Sequence, residues 1–315
     1  MHDAQHTSNN SLDGAVVETA NTESKRIDCN GQQLARIIDG RAAAKAMLAL
    51  LKSDIETLNP KLAILQVGEH GPSTSFIRQK LKACLEVGMR HEHRQLPETC
   101  TEADLFRTID EFNEEKDVSG FIVQLPLPRH LASRRARVLD SIAPAKDVDG
   151  FGSSHLGKVF LSTKHEHLPP ATPGGIVALL AHEHIDVKGR DVVIVGASNV
   201  VGKPLAVMLT NREATVTLCH KETKKLAEHT RHGEILVVAA GQPNLIIKDM
   251  VMPGAVVIDV GINTTPEGLK GDVDFGGVRE VASAITPVPG GVGPMTVAQL
   301  LKNCVTAKKM QNMGL

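Results

Sequence analysis

Lysine serves as an acid–base group only where its surroundings pull its pKa down from ~10.4 toward neutrality. The stretch "STSFIRQKLKAC" (73–84) carries Arg78, Lys80 and Lys82 between Ile77, Leu81 and Cys84 at helical spacing. Alone it reads as a helix with a solvated basic face, so its partners in the fold must decide whether one lysine is special. A second stretch, "GASNVVG" (196–202), follows an apolar run and precedes a helical pattern. The helix amides and dipole would then face a pyrophosphate, and small Ala197 and Ser198 would let backbone approach it. It departs from GxGxxG: Ser198 replaces the second glycine and one residue is added, so plain turn chemistry competes with nucleotide binding. The next apolar run ends in His220–Lys221–Glu222. A base there suits a 2′-phosphate and hence NADP, whereas Glu222 would favour the free 2′-hydroxyl of NAD. The fourteen histidines raise a metal site, but "HEH" at 91–93, 165–167 and 182–184 lacks the i, i+4 pair a helical zinc site needs. No metal is expected.

The 315 residues suffice for two domains. With 35 Lys+Arg against 36 Asp+Glu the chain has no basic excess for nucleic acid. No apolar run approaches the roughly 20 residues that cross a bilayer. The five cysteines are scattered, odd in number and without a CxxC pair, which suits a reduced, cytoplasmic setting. Trp and Tyr are absent, so aromatic stacking falls to the seven Phe. Residues 1–34 are polar and aperiodic, with acids and no apolar stretch, and read as a disordered extension rather than a leader.

The elements that must position these residues alternate between strand and helix. "ARIIDGRAAAKAMLALLKSDIETL" has helical spacing, and "KLAILQV" (61–67) is a buried strand leading into a helix at about 73–88. "RHEHRQL" suits an edge strand, and a helix after Thr101 as N-cap precedes the strand of "SGFIVQLPLP". "ASRRARVLDSI" is helical and "APAKDVDGFGSSHLGK" is a loop. Beyond Leu168 come a helix, then strands at 192–195, 214–220, "EILVVAA" and "GAVVIDVG". A loop, "ITPVPGGVGPM", feeds a last helix with Thr296 near its start; it would return to the first unit. Such alternation predicts an α/β fold of two α/β domains flanking a cleft, the second Rossmann-type, with ligands beyond the carboxyl ends of parallel strands. Gln124 and the "VGEHGPSTS" turn lie at two such ends.

Six blocks in order over residues 35–310 resemble the bifunctional methylenetetrahydrofolate dehydrogenase/methenyltetrahydrofolate cyclohydrolases. They are "SxxFIxxKxKAC", "GFIVQLPLP", "PAKDVDGF", "PATPGG", "VVIVGASNVVGKP" and "ITPVPGGVGPMT". The resemblance implies a catalytic Lys80 with Gln124 as its partner and Asp149 as the pterin-binding carboxylate. It implies folate contacts at Phe76, Val123, Leu125, Pro289, Gly290 and Gly293. It implies an NADP site at Gly196, Ala197, Ser198, Lys221 and Ile262. The substrates would be tetrahydrofolate derivatives, and the family pairs as homodimers through the nucleotide-binding domain. Residues 35–150 with 295–315 would hold folate, and 151–294 would hold NADP. Phe76 stands where the family has Tyr, keeping the stacking ring without its hydroxyl; His155 replaces an Asn and Ala171 a Cys. Phe76 admits a second reading, a dehydrogenase with weak or absent hydrolase activity. A third, a non-catalytic folate or nucleotide binder, is opposed by the retained Lys80, Gln124 and Asp149.

The implied chemistry makes these residue types intelligible. Hydride transfer needs two rings held face to face, so binding geometry supplies most of the help. Hydrolysis of the methenyl cation needs proton transfer. A lysine beside a cationic substrate loses pKa through desolvation and like charge. A neutral Gln can bond the amine without holding it protonated, as a carboxylate would. Without the resemblance, Asp149 would be a turn residue; a calcium loop is excluded because Phe151 stands at the fifth ligand position.

Overall fold

A computed structural model describes residues 34–69 and 71–314; the extension expected over 1–34 lies almost wholly outside them. The elements in chain order are β1 (Arg36–Ile37), α1 (Gly40–Leu58), β2 (Lys61–Val67), α2 (Gly71–Val87), β3 (Arg90–Leu96), α3 (Glu102–Glu114), β4 (Gly120–Val123) and α4 (Arg135–Asp140). There follow α5 (Ser153–Leu161), α6 (Ala171–His182), β5 (Asp191–Val195), α7 (Gly202–Thr210), β6 (Thr215–Cys219), α8 (Leu226–Thr230) and β7 (Ile235–Val238). The last are β8 (Val256–Asp259), β9 (Asn263–Thr265), β10 (Gly268–Lys270), α9 (Phe275–Val278), β11 (Ala284–Ile285) and α10 (Val292–Asn312).

Two parallel sheets organise them. One is three-stranded, in the order β3-β2-β4; the other is six-stranded, in the order β1-β11-β8-β7-β5-β6. The inner strand β7, almost all of the central strand β2 and the neighbouring β4 are buried along their length, as parallel strands covered on both faces must be. The edge strands β3 and β6 alternate between half-buried and exposed residues over most of their length, and β3 carries charges that blunt its open edge. Thr101 caps α3: its Oγ1 accepts from Asp104 N at 3.1 Å, and Asp104 Oδ2 accepts from Thr101 N at 3.1 Å.

Several elements differ from the sequence expectation. Residues 36–37, placed with the first unit, form the edge strand β1 of the six-stranded sheet through pairing with β11. Two-residue strands leave no periodicity to read. The segment expected as a loop to 158 turns helical at Ser153, because Asp140 Oδ1 accepts from both Ser153 N (2.7 Å) and Ser153 Oγ (2.5 Å). That cap comes from thirteen residues upstream, out of reach of local reading. A small hairpin, β9–β10, was also unforeseen.

α10 joins the two halves. Val292, Met295 and Ala298 pack in the core over the six-stranded sheet; Leu300, Leu301, Cys304 and Val305 pack in the core under the three-stranded one. α1 does the same with Ala43 and Ala44 in the first core and Leu51 and Ile55 in the second. Among the described residues no helix is long and apolar enough to cross a membrane, and no cluster of three or more metal-type ligands exists.

Candidate active site and nucleotide crevice

α2 runs from the carboxyl end of β2, and Gln124 follows directly on β4, the neighbouring strand. That adjacency brings together residues 44 apart in sequence: Lys80 Nζ donates to Gln124 Oε1 at 3.1 Å. The Gln124 amide is oriented by its own backbone, since Nε2 donates to Leu125 O at 2.8 Å and leaves Oε1 for the lysine. Lys80 is only 8% exposed. Burial pulls its pKa below the ordinary lysine value, and the negative charge of Asp149 opposes that shift. Burial pushes Asp149 upward in turn, with Lys80 opposing and Asp147 reinforcing. The three residues therefore form one electrostatic unit.

Asp149 is presented by a loop that other side chains hold. Asp147, the first acid of "KDVDG", is buried and accepts from Gly150 N (3.0 Å) and Gly152 N (2.8 Å). Lys146 Nζ donates to Phe112 O (2.8 Å) and Glu115 O (2.7 Å) on α3 and just after it. From α10, Asn303 Nδ2 donates to Val148 O (2.9 Å) and Pro169 O (2.8 Å), and Gln299 Nε2 donates to Asn303 Oδ1 (2.8 Å). His155 Nε2 bonds Pro144 O at 2.7 Å, so this departure from the family's Asn also serves the loop. Asp147 and Asn303 were missed by sequence reading; "DVDG" hints at the former, while nothing local marks the latter.

A cleft of about 720 Å³ opens between α2 and the loops at the carboxyl ends of β8 and β11. Phe76, Ile262, Pro289, Gly290 and Gly293 line it together, with Arg41 and Gln79 as lining residues the sequence did not single out. Ile262 is 40% exposed there. Lys80, one turn after Phe76, is not part of that lining, nor are Gln124 and Asp149. The Val123 side chain is buried in the core toward α3, because alternation along β4 turns it away from Gln124's side, and Leu125 packs against that same core. The bonds Leu125–Pro126 and Val288–Pro289 are cis.

The turn after β5 is built for close backbone approach. Gly196 has φ +115°, and a Cβ on it would lie 2.1 Å from Ala239 O in the neighbouring loop. Ser198 Oγ accepts from Val201 N at 3.1 Å, shaping the turn into α7, whose first turn has no side-chain cap. The positive dipole end of α7 and the close backbone approach at Gly196 suit a pyrophosphate, so the residues present fit a dinucleotide. Lys221 stands beyond β6 with its side chain 89% exposed, 3.7 Å from Glu222, free to turn toward a 2′-phosphate. Asp259, at the end of β8, lines the cleft and has its pKa pushed up to about 6, chiefly by burial.

Comparisons with known proteins follow the same division. The family model for the tetrahydrofolate dehydrogenase/cyclohydrolase catalytic domain matches residues 38–149, and that for the NAD(P)-binding domain matches residues 170–312. The chain is 45% identical over 286 residues to the bifunctional protein FolD of Helicobacter pylori, covering 88% of this chain and 97% of the relative. It is similar to the crystal structure of the bifunctional FolD dehydrogenase/cyclohydrolase of Campylobacter jejuni, at TM-score 0.83 and 41% identity, over 88% of this chain and 99% of that one. It is also similar to the Trypanosoma brucei FolD complexed with NADP cofactor and inhibitor, at TM-score 0.84 and 36% identity, over 89% and 99%.

Proposed function

Because the chain belongs to the tetrahydrofolate dehydrogenase/cyclohydrolase family, we propose that it oxidises 5,10-methylenetetrahydrofolate with NADP and hydrolyses the resulting 5,10-methenyltetrahydrofolate to 10-formyltetrahydrofolate. The observation that carries the reading is the buried Lys80–Gln124 contact beside Asp149, in the same chain as the Gly196 turn.

The division of labour follows from the residues. Asp149 accepts hydrogen bonds from the pterin amino and ring N–H groups, and the Phe76 ring stacks on the substrate. Pro289, Gly290 and Gly293 hold the other wall of the cleft, and Ile262 faces them from the dinucleotide half. A dinucleotide held there would supply the acceptor for the hydride of the methylene carbon. Gly196, Ala197, Ser198 and Lys221 hold its phosphates. In the hydrolysis, Lys80 in its neutral form takes a proton from the attacking water. The methenyl cation next to it adds to burial in keeping the amine neutral. Gln124 Oε1 orients the amine and brings no charge that would lock its proton on. The protonated amine then returns the proton as the ring opens.

The three-stranded unit is the folate half and the six-stranded unit the NADP half. The homodimer through the nucleotide-binding half and the cytoplasmic setting rest on the family resemblance and on four described cysteines that are all free. A second reading keeps the dehydrogenase and weakens the hydrolase, on the ground that Phe76 lacks a hydroxyl. One assay separates them: the protein with methylenetetrahydrofolate and either NADP or NAD, following reduced dinucleotide and methenyl together. Reduction of NADP in preference to NAD, with methenyl decaying faster than in buffer alone, is expected. Methenyl that builds up and decays at the buffer rate would select the second reading. No reduction with either dinucleotide would remove both.

A further inference from the structure

The six-stranded half holds two buried carboxylates that neither proposed step uses. Asp259 is 3% exposed; its Oδ1 accepts from Gly261 N (2.9 Å) and Asp272 N (3.0 Å), and its Oδ2 from Val273 N (3.0 Å). Asp272 lies just beyond β10 and is fully buried. Its Oδ2 accepts from Ala240 N (2.6 Å) and Gly241 N (2.8 Å), and its Oδ1 from Asn263 Nδ2 (2.8 Å). Among the described residues no cation pairs with either carboxylate; N–H donors alone compensate for their desolvation. Gly271 makes room for the arrangement, since a Cβ there would lie 1.8 Å from Asp259 Oδ2.

The position of this knot gives it meaning. β5 is flanked by β6 on one side and β7 on the other, so the sheet order reverses there. A ligand at such a point lies between the loops that follow the two diverging strands. Those loops are the Gly196 turn and residues 239–241, which already meet at Gly196 and Ala239. Asp272 holds the second loop by two backbone amides. Through Asn263, and through its own N–H on Asp259, it ties that loop to the one after β8, where Gly261 and Ile262 line the cleft.

We propose that Asp272 is a positioning residue for the dinucleotide, setting the loop 239–241 against the Gly196 turn and the Ile262 wall against the cleft. The inference rests on the reading that this crevice takes a dinucleotide. Asp272→Asn keeps the shape but puts an NH2 group where N–H donors converge. Titration calorimetry with NADP should show affinity about tenfold weaker or worse, the scale of a buried donor left without an acceptor. Hydrolysis of methenyltetrahydrofolate without dinucleotide should change far less, because the Lys80–Gln124 contact is not touched. Asp272→Asn combined with Asn263→Asp exchanges donor and acceptor across their contact, again offers Ala240 and Gly241 an oxygen, and should recover most of the affinity. Unchanged NADP affinity in the single variant, equal losses in binding and hydrolysis, or no recovery in the double variant would overturn the proposal. A wild-type protein that binds neither NADP nor NAD would instead overturn the underlying reading, and this inference with it.

Discussion

Lys80 and Lys82 differ by two positions and by everything that matters chemically. A step of two on a helix turns the side chain about 200°. Lys80 thereby enters the protein interior, while Lys82 is 78% exposed and pairs loosely with Glu86. The helical spacing around them was legible, but which lysine faces inward toward Gln124 was not; only the family pattern singled out Lys80. Its burial has a kinetic consequence. In the proposed hydrolysis the neutral amine is the base, and its fraction grows as pH rises, so kcat for hydrolysis should climb with pH and level off below the ordinary lysine range. Asp149's charge raises the Lys80 pKa against the pull of burial. Removing that charge with Asp149→Asn should move the rising limb to lower pH, alongside weaker folate binding. kcat–pH profiles of both proteins at saturating substrate check this; a limb that stays in place or moves to higher pH contradicts the coupling.

At the scale of elements, the strand–turn–helix from β5 to α7 depends on the glycine that opens its turn, Gly196. Gly196→Ala would require a left-handed φ and place a methyl group against Ala239 O. We expect a loss of about 1–3 kcal/mol in stability, read as a fall of several degrees in Tm, and weaker dinucleotide binding. Calorimetry and NADP titration of the variant measure both. Elements whose own residues carry the signal were readable: β2 from its apolar run, α3 from Thr101, β5 from its valines. Elements fixed from a distance were not. α5 starts where Asp140 caps it, β1 exists through β11, and the Asp149 loop hangs on Asn303 of α10. In each case the partner lies ten to more than two hundred residues away, and the segment itself holds no trace of it.

In the whole molecule, residues of the catalytic domain and of the NAD(P)-binding domain line one cleft, and α1 and α10 pass through both cores. That shared packing brings Phe76 and Ile262 into the lining of the same cleft. The overall plan was readable from the alternation of strands and helices. The carboxylate knot at Asp259 and Asp272 was not, because its bonds join loops that follow three different strands. In the proposed mechanism Lys80 carries the hydrolysis while the dinucleotide is held elsewhere. The most direct measurement compares the decay of methenyltetrahydrofolate with wild-type protein and with Lys80→Met, alongside NADP titration of each. Hydrolysis in Lys80→Met should be slowed by at least about a hundredfold, the scale of a lost general base, with NADP affinity unchanged. Hydrolysis at the wild-type rate in Lys80→Met would contradict that mechanism.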